Sequence, residues 1–201
     1  MIKNIIILTI ALLGLSANIF GDSFDKIKKH LSQEGCHSFS FISIITSDIF
    51  EQTDTTHGTA YLASDGRYNL IIGDEQFLYD LEYVYSYSIS NNQIIIENAD
   101  VAVVDEISFL TKLDEIYETY ILNPNKKYQL VKRKNITGDY KDTLTVMIDR
   151  KKLLLKQIEY YDVNNELNMI VILKQNYMTD CDENKFEPTF PDSVERVKLL
   201  K

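Results

Sequence analysis

The sequence predicts a mainly β protein, in which an antiparallel meander of about ten strands follows one helix and is interrupted by a second. Short segments with alternating apolar side chains are separated by turn residues at intervals of roughly 8–12 residues, which is the spacing of a meander. Two other segments carry apolar residues at helical spacing. The chain has three Pro and seven Gly, so little of it is predicted to be loop.

Residues 1–21 have the pattern of a cleaved secretory signal peptide. An N-terminal Lys precedes the apolar stretch Ile5–Leu15, which is shorter than the about 20 residues that span a bilayer. We expect cleavage after Gly21, with cleavage after Ala17 or an uncleaved anchor helix as alternatives. No Cys lies at the junction, so we expect no lipid anchor. Residues 22–201 are then one exported, soluble domain, long enough to bury a core.

The first predicted helix spans Asp22–Glu34, where Phe24, Ile27 and Leu31 form one apolar stripe. Strands are then predicted at Phe39–Phe50, Gly58–Ala63, Arg67–Ile72, Gln76–Asp80, Tyr83–Ile89 and Gln93–Glu97.

The run Tyr68–Glu97 is the most informative part of the chain. It contains five of the 13 Tyr residues, and Tyr83, Tyr85 and Tyr87 alternate so that they share one face of a strand. No catalytic or metal-binding signature accompanies this apolar surface. The run therefore indicates a sheet that binds an apolar ligand rather than one that performs chemistry.

Helical spacing returns after Val103 and continues to about Leu122, which predicts one inserted helix that ends before Pro124. Further strands are predicted at Tyr128–Lys134, Thr143–Asp149, Leu153–Asp162 and Leu167–Tyr177, with a short closing pair at Lys185–Phe190 and Val194–Leu200.

The charge of the chain excludes some partners. The formal net charge is −9, and removal of the signal peptide, with one Lys and no acid, makes it −10 (−9 − 1). We therefore expect no binding to nucleic acid or to anionic lipid, since both require clusters of Lys and Arg.

No pattern for catalysis or metal binding is found in the sequence. His30, His37 and His57 do not lie at metal-ligand spacing from one another or from a Cys. Motifs for a nucleophilic Ser or for a phosphate-binding loop are absent. We predict that the protein is not an enzyme and has no metal or cofactor.

Cys36 and Cys181 are the two cysteines of a chain that is predicted to be exported. Such a pair is a candidate disulfide, and because the loop would be long, the bond would stabilise the fold by about 4–5 kcal/mol in the chain-entropy model. The sequence leaves open whether the two residues come within bonding distance.

Four stretches resemble the periplasmic outer-membrane lipoprotein carriers, the LolA family. They are GTAYL (58–62), SDGRYNL (64–70), GDEQFLYDL (73–81) and KFEPTFPDSVE (185–195). Tyr79-Asp80 matches a Tyr-Asp of the family, and Phe77 stands where the family prefers Trp. The order of helices and strands over residues 22–201 is also similar.

This resemblance implies a half-open antiparallel β-barrel of about ten to eleven strands, whose concave face is covered by an N-terminal helix and an inserted helix. It implies a soluble periplasmic carrier, which we expect to be a monomer. Its cargo would be the acyl chains of lipoproteins, received from an inner-membrane ABC-type release complex and passed to an outer-membrane acceptor.

The resemblance also assigns residues to the site. The cavity wall would comprise Tyr68, Leu70, Ile72, Phe77, Tyr79, Tyr83, Tyr85, Tyr87, Ile94 and Ile96. The lid helix would present Phe109, Leu110, Leu113 and Ile116. The family carries an Arg before its turn that latches the lid, but Ser64 and Asp65 occupy those positions here. Arg67, three residues on, is a candidate for the latch.

A different class of function is also consistent with the same fold. A periplasmic regulatory domain that senses lipids or lipoproteins and signals to a partner would need a similar apolar surface. A sensor would normally be fused to or paired with a second domain, which favours the carrier.

Overall fold

A computed structural model describes residues 23–47, 49, 51–99, 107–123, 127–137 and 140–199. The predicted signal peptide, residues 1–21, lies outside the described residues. So do the predicted start of the inserted helix, residues 103–106, and the predicted turn at Pro124.

The described residues form twelve strands and a few short helical segments. The strands are β1 (Cys36–Ser47), β2 (Gln52–Ala63), β3 (Tyr68–Ile72), β4 (Glu75–Tyr79), β5 (Tyr83–Ser88), β6 (Gln93–Asn98), β7 (Tyr117–Asn123), β8 (Lys127–Lys132), β9 (Thr143–Asp149), β10 (Leu154–Tyr161), β11 (Leu167–Met178) and β12 (Glu195–Leu199). The helical segments are α1 (23–31), a 3₁₀ helix (Ser108–Lys112) that runs into α2 (Leu113–Ile116), and a second 3₁₀ helix (Glu183–Lys185).

All twelve strands belong to one sheet in the order β12-β6-β5-β4-β3-β2-β1-β11-β10-β9-β8-β7. Neighbouring strands are antiparallel except for β12, which runs parallel to β6. The sheet does not close on itself, because β12 and β7 are its two edges. The predicted architecture, a half-open β-barrel with an N-terminal and an inserted helix, is confirmed.

One face of the sheet, called the inner face below, packs against the helices. The predicted stripe of α1 is confirmed, because Phe24, Ile27 and Leu31 are almost completely buried in the main core. The ring of Phe24 stacks on Tyr128 of β8 with 4.6 Å between centroids. Because α1 is short, this burial rather than helix propensity holds it in place.

Gly58 of β2 is required by the packing of the inner face. It lies opposite Phe41 of β1, whose ring occupies the space above the glycine. A Cβ at Gly58 would lie 2.3 Å from the Phe41 ring and 2.9 Å from the carbonyl oxygen of Ile71. Phe41 is 1% exposed, so the ring has no room to move.

The prediction for the inserted helix was wrong at its C-terminal end. The helix ends at Ile116, and the residues that we predicted to continue it form strand β7. Tyr117 is buried and Tyr120 is half exposed, as expected when residues three apart lie on opposite faces of a strand. Pairing with β8 therefore outweighed the helical spacing of the apolar residues.

The predicted closing strand pair was half wrong. Lys185–Phe190 is not a strand, since the 3₁₀ helix Glu183–Lys185 begins an irregular stretch there, whereas the second strand is present as β12. With β7 added, the sheet has twelve strands rather than ten or eleven.

His37 of β1 lies completely buried beneath the C-terminal end of α1. Its ring centroid is 5.4 Å from that of His30 on α1 and 5.2 Å from that of Tyr177 on β11. Burial, and to a smaller extent the nearby His30, lowers the pKa of His37 from 6.5 to about 4. A neutral imidazole is thus part of the contact between helix and sheet.

This burial predicts a loss of stability in mild acid. Between pH 6.5 and about 4, the unfolded chain binds a proton at His37 that the folded chain excludes, so the free energy of unfolding falls as the pH falls. The loss should reach about 3 kcal/mol. Urea unfolding at a series of pH values measures it. His37→Phe should remove the part of the loss that appears between pH 6.5 and about 5, above the range in which carboxylates with lowered pKa values, such as Glu183, also reduce stability. His57→Gln, at an exposed position, should retain it, and a loss in this range that survives His37→Phe would contradict the assignment.

Gly58→Ala should lower the free energy of unfolding by about 1–3 kcal/mol, because the methyl group would overlap the Phe41 ring and the Ile71 carbonyl. Thr59→Ala, at the exposed neighbouring position, should cost less than about 1 kcal/mol. Urea unfolding compares the two. Equal effects would show that Gly58 has no special packing role.

Candidate functional site

The strand register divides the predicted cavity wall between two faces of the sheet. Residues that pair across neighbouring strands share a face, and consecutive residues of a strand alternate. Leu70 pairs with Phe77, which places both on the inner face with Phe39 and Ala60. Leu78, the neighbour of Phe77, pairs with Tyr85 on the opposite face, called the outer face below.

Five of the ten predicted wall residues lie on the inner face. Tyr68 and Leu70 are buried in the main core, and the other three are partly buried and pack against its margin; these three are Ile72, Phe77 and Tyr79. The rings of Tyr68 and Tyr79 are 5.6 Å apart. The inner face therefore has a buried centre and a partly open border along β3 and β4.

The residues predicted for the lid pack on this inner face. Each is at most 5% exposed within the main core, and they are Phe109, Leu110, Leu113 and Ile116. Together with Ile107 they belong to residues 107–116, called the cover segment below. Neither its 3₁₀ helix nor α2 has a side-chain N-cap. Because 3₁₀ hydrogen bonds have poor geometry, the cover segment depends mainly on its apolar contacts.

One ion pair joins the two helices that cover the inner face. Lys28 Nζ of α1 lies 2.6 Å from a carboxylate oxygen of Asp114 in α2 and 3.0 Å from one of Asp25. Burial acts to lower the pKa of Lys28, but the hydrogen bonds to the two carboxylates outweigh it and raise the pKa above its usual range. Asp114 is exposed, so the pair contributes less than about 1 kcal/mol.

The other five predicted wall residues lie on the outer face, in a separate core. Tyr87, Ile94 and Ile96 are buried there, and Tyr83 and Tyr85 are partly buried. The predicted alternation within β5 is therefore found, but this strand does not face the helices. One cavity cannot be lined by all ten residues.

A C-terminal stretch that sequence reasoning missed covers this outer core. Residues 179–194, called the outer segment below, follow β11 and lead into β12. Phe190 contacts Tyr85 and Tyr87 with ring centroids 5.8 and 5.4 Å apart, and Val194 packs beside Ile94. The widely spaced aromatic residues of this segment carry no period, which is why no pattern revealed its role.

A disulfide and polar contacts fix the start of the outer segment. Cys36 and Cys181 are bonded, with their Cα atoms 5.4 Å apart, and Phe186 is buried beside them. The amide nitrogen of Asn69 donates to the backbone oxygen of Lys185 at 2.6 Å. The sequence left the pairing of the two cysteines open. The disulfide that they form attaches the outer segment to β1, and the segment covers the outer face.

Arg67, the candidate latch, contacts the outer segment rather than the lid. Its guanidinium bonds Asp65 at 2.8 Å and pairs with Glu183, and it lies 4.9 Å from the centroid of the Phe186 ring. The hydrogen bond from Arg67 lowers the pKa of Glu183. These contacts place the Arg67 side chain on the outer face, whereas the cover segment packs on the inner face.

The described residues contain no cluster of three His, Cys, Asp or Glu side chains that could hold a metal ion. An open groove of about 1010 Å³ lies at one end of the sheet, but charged and hydroxyl groups such as Lys132, Asp142 and Thr145 line much of it. Lys132 and Asp142 pair with each other at 2.7 Å. This groove does not have the lining expected for acyl chains.

The stretches of the chain that the structure describes include no helix with the length and apolar character needed to cross a membrane.

Comparison with known proteins finds similarity in structure only. No protein-family model matches the chain, and no curated protein matches it. An uncharacterised conserved protein from Thermus thermophilus aligns with a TM-score of 0.52 at 11% identity over 91% of this chain and 99% of its own. A DUF1329 family protein from Desulfovibrio piger aligns with a TM-score of 0.50 at 8% identity, over 85% and 97%.

A LolA superfamily protein from Nitrosomonas europaea aligns with a TM-score of 0.46 at 8% identity, over 83% of this chain and 96% of its own. The similarity to the Thermus thermophilus and Desulfovibrio piger structures shows the fold, and the chain has the half-open sheet with two covering helices that the sequence motifs implied. At such identities structural similarity defines the fold and not the function, so the function has to be argued from the site.

The disulfide should stabilise the attachment of the outer segment more than the neighbouring ion pair of Arg67 and Glu183 does. It closes a separation of 145 residues, and replacing both cysteines by Ser should lower the free energy of unfolding by about 4–5 kcal/mol. Arg67→Gln should have a much smaller effect, since the partner carboxylate is exposed. Urea unfolding, together with limited proteolysis within residues 179–194, measures both. Unchanged stability in the cysteine variant would contradict this role.

Proposed function

We propose that the protein is a periplasmic carrier, which binds the acyl chains of lipoproteins between the inner face of its sheet and the cover segment. In this proposal it moves them from the inner membrane to the outer membrane without breaking a covalent bond. The observation that carries the proposal is an apolar sheet face beneath two short helices whose apolar side chains are buried against it.

The energetics favour exchange between the cover segment and an acyl chain. Each methylene that leaves water for an apolar site gains about 0.8 kcal/mol, so a long acyl chain can replace the contacts of several side chains. Leu110, Leu113 and Ile116 make such contacts with the inner face. When the cover segment lifts, the acyl chain would occupy the apolar surface that the segment had covered. The strands beneath would stay paired.

Entry is expected at the border of the inner face. Ile72, Phe77 and Tyr79 are the wall residues that remain partly exposed there, next to the buried Tyr68 and Leu70. The proposed binding surface thus comprises these five of the ten predicted residues. The outer-face residues would hold the fold together.

The partners remain as the resemblance implied them. We propose an inner-membrane ABC-type release complex as the donor of lipoproteins and an outer-membrane acceptor as the recipient. The exported, acidic chain would work in the periplasm after removal of residues 1–21.

Matched variants on the two faces test the proposed site. Phe77→Ser, on the inner face, should weaken binding of a fluorescent palmitate at least about tenfold, because it removes a large apolar contact. Tyr83→Ser removes a partly buried aromatic ring from the outer face and should leave binding unchanged. Fluorescence titration measures the affinity, and urea unfolding checks that both variants are folded. Equal weakening, or none, would place the ligand elsewhere.

A second measurement concerns cargo and transfer. Native mass spectrometry of the protein purified from the periplasm should detect bound acylated protein, and the pure protein should release lipoproteins from spheroplasts. Protein that is consistently empty and releases nothing would contradict the carrier. Binding without onward transfer to outer-membrane vesicles would instead favour a domain that senses lipoproteins.

A further inference from the structure

Two adjacent hairpin tips carry exposed apolar side chains at one end of the sheet. Ile49, at the tip between β1 and β2, is 76% exposed, and Val163, at the tip between β10 and β11, is 100% exposed. Tyr161, at the base of the second tip, is 63% exposed. Turn positions usually carry polar residues, so these side chains are not explained by the turns themselves.

The strand register places the two tips side by side. Leu167 of β11 pairs with Thr46 of β1 on one side and with Tyr161 of β10 on the other. Both hairpins extend beyond this row in the same direction. Since β1 and β10 both neighbour β11, they lie about 10 Å apart. The two tips therefore form one apolar patch that protrudes from this end of the sheet.

The tip that carries Val163 is well defined. The carboxylate of Asp162 accepts hydrogen bonds from the backbone N–H groups of Asn164 and Glu166 at 2.8 and 3.0 Å. Asn165 adopts a positive φ of 61°. Polar residues thus build the turn, and Val163 is held outward from it without a contact that would bury it.

We propose that these two tips insert into the surface of a bilayer of uncharged, zwitterionic phospholipid. The patch consists of three side chains, of which Tyr161 and Val163 also border the open groove described above. It is far smaller than the roughly 800 Å² per partner of a stable protein interface. A bilayer needs no complementary shape and accepts apolar side chains at the boundary between headgroups and acyl chains.

The charges around the tips select the type of lipid. Among the described residues of the tips, Glu51, Asp162 and Glu166 are acidic, and the positive charge of Lys141 acts on Asp162, so the net charge there is negative. Anionic headgroups would repel the tips, whereas zwitterionic headgroups would not. The tips are therefore expected to bind phosphatidylcholine vesicles more strongly than vesicles that contain anionic lipid.

The chain contains no Trp, so a single introduced Trp reports on one site only. Val163→Trp and Ile49→Trp should shift to shorter emission wavelengths on phosphatidylcholine vesicles, and brominated phosphatidylcholine should quench them. Leu81→Trp is the matched control, because Leu81 is 51% exposed and lies at the opposite end of the sheet, next to the end of β4. Equal quenching at all three positions, or none at the tips, would overturn the proposal.

Vesicle sedimentation gives an independent measurement. Replacing both Ile49 and Val163 by Asp should lower the partition onto phosphatidylcholine vesicles at least about tenfold, and Leu81→Asp should not change it. Unchanged partition of the double variant would overturn the proposal. So would a tip signal that grows with protein concentration in the absence of lipid, because a second copy of the chain would then cover the tips.

The membrane contact and the proposed carrier function can fail separately. Phe77→Ser is expected to lose palmitate binding and to retain quenching at the tips. The variant with Asp at both Ile49 and Val163 is expected to lose binding to phosphatidylcholine vesicles and to retain palmitate binding. A variant that loses both while folded would show that there is one shared site and no separate tip contact.

Discussion

The alternation of side chains across one long sheet is the constraint on which the rest of the structure depends. Both faces of strands β2 to β6 carry apolar residues, since Leu70 and Phe77 lie on one face and Tyr85 and Ile94 on the other. A sheet that is apolar on both faces has to be covered twice. The chain does this with the helices on the inner face and the outer segment on the other.

The two covers differ in how they are attached. The outer segment is held by the disulfide of Cys36 and Cys181, by the ion pair of Arg67 and by strand β12, into which it leads. The cover segment has no covalent link, and the ion pair between Lys28 and Asp114 is half exposed. The cover of the outer face is therefore fixed by a covalent bond, whereas the cover segment on the inner face can lift without breaking one.

Much of this fold could be predicted from the sequence, because the period of a strand is local information. The alternation of Tyr83, Tyr85 and Tyr87 on one face was read from the residues alone. The phase between one strand and the next is set by the turn, and the three residues between β4 and β5 move the odd-numbered residues from the inner to the outer face. Phe77 and Tyr85 therefore belong to the same alternation along the sequence but lie on opposite faces of the sheet. No pattern in the sequence gives that phase.

The position of Arg67, the candidate latch, bears on how the cover segment is held. Arg67 is bound by Asp65 and Glu183 on the outer face, and the charged pair that does reach the cover segment, Lys28 with Asp114, is half exposed and contributes little. The closed state then depends on the apolar contacts of residues such as Leu110 and Leu113, which are the kind of contact that an acyl chain makes. In the proposed carrier, ligand and cover segment compete for the same surface through the same interaction. The balance between them is set by buried apolar area, and salt should affect it little.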